Sequence, residues 1–113
     1  MEIQKQLVDG YCIVEVAGDI DTGTSATLQA CLEEELAQGN KQFIIDLTKT
    51  RYVSSMGLRV FLSHLKKLKA NNGSMVLSGC NELITDVLKM SGFLNYFQLT
   101  ANTNEALKLS PSA

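Results

Sequence analysis

Two adjacent serines, Ser54 and Ser55, one histidine, His64, and the aspartates Asp19, Asp21 and Asp46 are the side chains of this 113-residue chain whose chemistry could go beyond packing. A serine at 55 and a histidine at 64 suggest a nucleophile and its general base. Both fall within one helical pattern, however, where nine residues span about 13 Å of axis and two and a half turns, so the pair lies on opposite sides. A nucleophile and its base must come within about 3 Å of each other. The pair is set aside, and a small hydrolase is not expected on this ground. Flanked by Ser63 and by Lys66 and Lys67, His64 is expected on the exposed surface of that helix.

The three aspartates stand near the ends of strand candidates, where they could gather as a cation or phosphoryl site. A simpler reading is that Asp46 accepts hydrogen bonds from loop N–H groups and that Asp21 caps, or opens, the helix that follows it. Gly23, Gly57 and Gly73 do not have the spacing of a phosphate-cradling loop, and no nucleotide is expected. Cys12, Cys31 and Cys80 are odd in number, far apart and set among apolar residues, which fits buried thiols better than a disulfide framework or a metal site. With one histidine as the other soft ligand, neither a metal nor a cofactor is expected.

The elements that position these residues follow from periodicity. Residues 2–8 and 11–17 read as strands around Asp9-Gly10, a two-residue hairpin signal. Cys12, Val14 and Val16 share one face of the second strand, and Tyr11, Ile13 and Ala17 the other, so this strand is expected to be covered on both sides. Leu28, Cys31, Leu32 and Leu36 mark an amphipathic helix that ends at Gly39-Asn40. Residues 42–47 form a buried strand, and a helix over about 56–70 carries Leu58, Phe61, Leu62, Leu65 and Leu68 on one stripe. Met75-Val76-Leu77 is a further strand. Asn81 caps a short helix with Leu83, Ile84, Val87, Leu88 and Met90 turned inward. An edge strand is expected around Tyr96-Phe97-Gln98, a last helix from Asn102 through Leu109, and a disordered tail over 110–113. Short returns from helix to strand imply parallel neighbours. The predicted architecture is α/β: one domain over 1–109, with a mixed, mostly parallel sheet of four to five strands and about four helices.

Composition narrows the function. A net charge of −2 gives no basic field for nucleic acid or anionic lipid. No apolar run approaches the ~20 residues of a membrane span, and no basic leader precedes an apolar run at the N-terminus. The expectation is a soluble, cytoplasmic protein with no membrane insertion.

The stretch Val53-Ser54-Ser55-Met56-Gly57-Leu58, placed between a buried strand and an apolar helix, resembles the serine loop of the STAS domain family, specifically the anti-sigma factor antagonists. In that family the loop ends Asp-Ser-Ser-Gly-Leu or Asp-Ser-Thr-Gly-Leu. Gly57 and Leu58 match, Ser55 falls on the serine that a partner kinase phosphorylates, Ser54 stands in place of the aspartate, and Met56 in place of the second hydroxyl. Gly18-Asp19-Ile20-Asp21 fits the family's Gly-x-Ile/Leu-Asp element, and Ser91-Gly92-Phe93 its later helix end, so the likeness spans nearly the whole chain.

The resemblance implies a non-enzymatic, phosphorylation-switched regulator of transcription. Unphosphorylated, it would bind an anti-sigma factor that is also a serine kinase of the GHKL ATPase type, and so release a sigma factor. Phosphorylation of Ser55 would end the binding, and a serine phosphatase would reset it. The expected contact residues are Asp21, Ser54, Met56, Gly57, which permits close approach, and Arg59; Arg51 also flanks the loop. An alternative from a different class is a constitutive STAS assembly subunit of an ABC-type lipid transport system, in which the serines only cap the helix.

Overall fold

Strand and helix alternate along this chain because runs rich in Val, Ile and Phe are punctuated by caps and glycines. The computed structural model, which describes residues 1–109, follows that punctuation closely. β1 (Glu2–Val8) and β2 (Tyr11–Ala17) form an antiparallel hairpin. Its turn residues Asp9 and Gly10 both take positive φ, 51° and 83°, as the primed turn type requires. Three crossovers follow: α1 (Thr22–Ala37) into β3 (Gln42–Asp46), α2 (Ser55–Ala70) into β4 (Ser74–Ser78), and α3 (Glu82–Ser91) with the 3-10 turn Leu94–Tyr96 into β5 (Gln98–Thr100). α4 (Thr103–Leu107) comes next. The sheet order is β1-β2-β3-β4-β5, with β2 through β5 mutually parallel. This is the mixed, mostly parallel sheet with four helices that the sequence predicts.

Both faces of the central strands are covered, which is why they read as nearly continuous apolar runs. Cys12, Val14, Val16, Phe43, Ile45, Met75 and Leu77 belong to the main core with Leu28 and Leu32 of α1, Phe61, Leu65 and Leu68 of α2, and Ile84 and Leu88 of α3. Tyr11, Ile13, Ile44 and Val76 form a smaller cluster with Ala106 of α4 on the opposite face.

Four expectations need correction. The last strand is Gln98–Thr100 and not Tyr96-Phe97-Gln98, because residues 94–96 wind into a 3-10 turn before the chain reaches β4. The last helix stops at Leu107. On α3, Ile84 and Leu88 are buried, but Leu83 and Met90 are 52% and 88% exposed. Seven residues apart, those two share a stripe about 100–120° around the helix from Ile84, beyond the reach of one packed face. His64 is buried, 3% exposed, and meets Phe43 edge-on with ring centroids 4.7 Å apart. It continues the Gly57, Phe61, Leu68 row of α2, and helical position outweighs its polar sequence neighbours. The tail expected over 110–113 lies outside the described residues.

Candidate functional site

The parallel strands β3, β4 and β5 end level with one another, Asp46 opposite Ser78 and Ser78 opposite Thr100. The loop from β3 to α2 therefore leaves the sheet at the end where α1, α2 and α3 begin. It is pinned from three sides. Thr50 is buried and donates its hydroxyl to the Val16 carbonyl at 2.8 Å. The Gly18 N–H donates to the Lys49 carbonyl at 3.0 Å. The Asn81 amide, whose own Oδ1 caps α3, donates to the Arg51 carbonyl at 3.0 Å.

Closest to the serines, the loop pairs with the segment ahead of α1. The Ile20 N–H donates to the Tyr52 carbonyl at 2.9 Å, and the Ser54 N–H donates to the Ile20 carbonyl at 2.7 Å. Ile20 and Val53 form a parallel bridge. Asp21, the residue after Ile20, is thus brought beside Ser54, the residue after Val53, and the N-termini of α1 and α2 share one rim.

Each helix start has its own cap. Asp21 Oδ1 accepts from the Thr24 N–H at 2.8 Å while the Thr24 hydroxyl takes the Asp21 N–H at 2.9 Å, a reciprocal capping box. These Thr24 bonds hold the Asp21 carboxyl below the usual carboxylate range. On α2 the two serines divide their roles. Ser54 is buried, and its Oγ accepts from the Gly57 N–H at 3.1 Å. Ser55 is the first residue of the helix, exposed, with its hydroxyl in no hydrogen bond among the described residues. Met56, 40% exposed, and Arg59, also exposed, flank it along the first turns. Gly57 faces inward: a Cβ there would sit 2.7 Å from Ile20 Cγ2 and 2.9 Å from Val53 Cγ1. The close approach it permits is that of α2 to the loop before α1.

The remaining candidates do not converge on the serines. Asp46 turns back into its own loop, accepting from the Thr48 N–H at 3.0 Å and from the hydroxyls of Thr48 and Thr103. Arg51 faces Asp19 at 3.5 Å, both at the surface. His64 lies between α1 and α2 with both ring nitrogens unpartnered, and burial, reinforced by Lys67, pushes it down to about 4. It cannot serve Ser55 as a base. Among the described residues no three His, Cys, Asp or Glu side chains are grouped to hold a metal ion. The thiols are free, and burial pushes Cys12 up to about 12 and Cys80 up to about 11, so both stay protonated. What sequence reasoning missed is the scaffolding of the loop by Thr50 and Asn81. Asn81 signals a helix cap, but nothing in the sequence reveals that its NH₂ reaches a loop some thirty residues away.

The arrangement is an exposed hydroxyl on a rigid turn, at the shared rim of two helix N-termini whose first turns carry no acidic residue. The α2 N-terminus favours an added negative charge, whereas the Asp21 carboxylate already occupies that of α1.

Comparison with known proteins identifies the family and the fold. Residues 2–106 match the STAS domain. The Bordetella bronchiseptica protein BtrV, named as an anti-sigma factor antagonist, is 32% identical over 106 residues, covering 94% of this chain and 90% of its own length. Among solved structures, one described as an anti-sigma factor antagonist of Thermotoga maritima superposes with a TM-score of 0.90 at 19% identity, over 94% of this chain and 92% of the other. The anti-sigma factor antagonist SpoIIAA, solved in its unphosphorylated form, superposes with a TM-score of 0.81 at 19% identity, over 94% of this chain and 93% of the other. No described helix is long and apolar enough to cross a membrane. The chain belongs to the STAS domain family, with relatives of the anti-sigma factor antagonist type.

Proposed function

We propose that this chain is a phosphorylation-switched antagonist whose serine rim docks on an anti-sigma factor. The partner is a serine kinase of the GHKL ATPase type, which phosphorylates Ser55, and a serine phosphatase restores the hydroxyl. Binding by the unphosphorylated form frees a sigma factor, and the domain itself catalyses nothing. The observation that carries this reading is the division of labour between the serines. Ser54 does the capping, so the exposed Ser55 hydroxyl has no structural duty and is available for transfer. SpoIIAA has been solved in a phosphorylated form as well as an unphosphorylated one, which supports a fold that tolerates the modification.

The physics of release is local. A phosphate adds about −1.5 to −2 charge at pH 7. At a helix N-terminus a negative charge is favoured by roughly 0.3–1 kcal/mol, so the fold does not resist it. Against a partner surface complementary to a neutral hydroxyl, an unpaired dianion costs several kcal/mol, and each 1.4 kcal/mol is tenfold in affinity. Asp21, Met56 and Arg59 form the surrounding contact surface, and Ser54 and Gly57 hold the turn in position.

The test is capture from the native host's lysate with wild-type, Ser55→Ala and Ser55→Asp baits. A kinase-like ATPase retained by the first two and lost by the third is the expected result. Equal retention of one transporter ATPase by all three would replace this reading with that of a constitutive assembly subunit.

A further inference from the structure

At the opposite end of α2 from Ser55, a trough runs between the second half of that helix and the 3-10 turn leading into β5. One part, about 390 Å³, is lined mainly by apolar surface from Leu62, Leu65 and Tyr96, with Lys66, Lys69 and Asn95 at its margin. It adjoins a more polar hollow of about 240 Å³ that shares Leu65, Lys69, Asn95 and Tyr96 and adds Ser74 and Gln98. Small-molecule sites combine an apolar floor of about 300–1,000 Å³ with a few placed polar groups. This trough has both halves, joined at Lys69.

Two features indicate what it holds. Tyr96 is 60% exposed yet braced edge-on against Phe93 at 6.4 Å, so a large aromatic surface is presented to solvent from a supported position. Lys67 pairs with Glu33 of α1, whereas Lys66 and Lys69 make no ion pair among the described residues, and no acidic side chain lines either hollow. Three residues apart on the helix, Lys66 and Lys69 line the same hollow. The trough is thus cationic where it is polar and apolar beside that.

We propose that this trough binds a small anionic amphiphile, a medium-chain fatty carboxylate, with the carboxylate held by Lys69 and Lys66 and the chain laid over Leu62, Leu65 and Tyr96. Its larger part, about 390 Å³, lies within the range of small-molecule sites. Lys66 is eleven residues from Ser55, about 16 Å along the axis, so occupancy is compatible with a protein bound at the serine rim.

The experiment is titration of decanoate, below its micellar concentration, into the ¹⁵N-labelled full chain. Expected are saturable amide shifts confined to residues 62–69, 74–75 and 95–98, with decanol at least tenfold weaker. The double variant Lys66→Gln/Lys69→Gln should lose at least tenfold in affinity at unchanged Tm. Tyr96→Ala, at a surface position, gives a second weakened variant. Ser55→Asp should bind decanoate like wild type whatever the fate of the switch reading. Non-saturating or chain-wide shifts, decanol binding as tightly as decanoate, or an unaffected double-lysine variant would overturn the proposal.

Discussion

Replacing each serine of the loop in turn separates the two roles assigned to them. Ser54→Ala removes the Oγ that accepts the Gly57 N–H at 3.1 Å, at a position only 7% exposed where water cannot readily replace it. Loss of a serine cap costs about 0.5–2 kcal/mol, and a buried N–H left unpaired costs about 1–3 kcal/mol. These describe the same lost bond, so the expected destabilisation is about 1–2 kcal/mol. For a domain near a hundred residues each kcal/mol moves Tm by about 4–8 °C. Ser55→Ala removes an exposed hydroxyl with no partner among the described residues and should change stability by less than about 0.5 kcal/mol. Ser54→Asp restores an acceptor and should recover most of the loss. Urea unfolding of the four proteins at pH 7, read by circular dichroism, decides the matter. Equal destabilisation by the two alanine variants, or none by Ser54→Ala, would refute the assignment of cap and free hydroxyl.

Gly57→Ala should cost about 1–3 kcal/mol, because its Cβ would lie 2.7 Å and 2.9 Å from branched carbons of Ile20 and Val53; thermal unfolding measures it. Asn81→Ala removes both the α3 cap and the donor to the Arg51 carbonyl, so stability should fall by about 1–2 kcal/mol and amide exchange of residues 52–56 should quicken. His64 makes stability depend on pH. With a pKa of about 4 in the folded chain against about 6.5 unfolded, the unfolded state gains a proton that the native state refuses, so its contribution is intact above pH 6.5 and is lost progressively toward pH 4. At 1.36 kcal/mol per unit the full shift is worth about 3 kcal/mol, about 2 of it between pH 7 and pH 4.5, and His64→Phe should flatten that difference in stability relative to wild type.

Most of the fold was legible because its strands and helices obey their periods. The Asp9-Gly10 turn, the strands over 2–8 and 11–17 and the stop at Gly39 all follow from local chemistry. Errors arose where sequence neighbours were weighed above helical position. His64 sits in a polar neighbourhood of the chain yet lies seven residues from Gly57 and four from Leu68, both buried. Leu83 and Met90 erred in the opposite sense, apolar but off the packed stripe. The serine loop itself could be located, and Ser54 and Ser55 were both candidate caps; only the pairing of Ser54 with Ile20 turned one serine in and the other out. The trough beside Tyr96 was out of reach of local pattern, since it depends on residues 94–96 winding into a 3-10 turn against α2.

The substitution of Ser54 for the family's aspartate bears directly on the proposed switch. An aspartate at the cap would place a carboxylate next to the Ser55 phosphate. Two unit charges about 6 Å apart in a water-like medium repel by roughly 0.7 kcal/mol, about twice that for a dianion. Ser54 caps without that charge, so a phosphate on Ser55 meets the α1 and α2 N-termini with less opposition. The acid that the Ile20–Val53 bridge brings beside position 54 is Asp21, which is already committed to the Thr24 N–H and hydroxyl. The serine cap gives up some attraction between a carboxylate and the helix dipole and removes a repulsion that only the modified form would feel. The consequence is that the fold carries no penalty against the phosphorylated form. Discrimination between them is then left to the partner surface and not to the fold. Unfolding free energies of the Ser55→Asp variant with serine and with aspartate at position 54 test this: the aspartate at 54 should cost about 0.5–1 kcal/mol more in the Ser55→Asp background than in wild type.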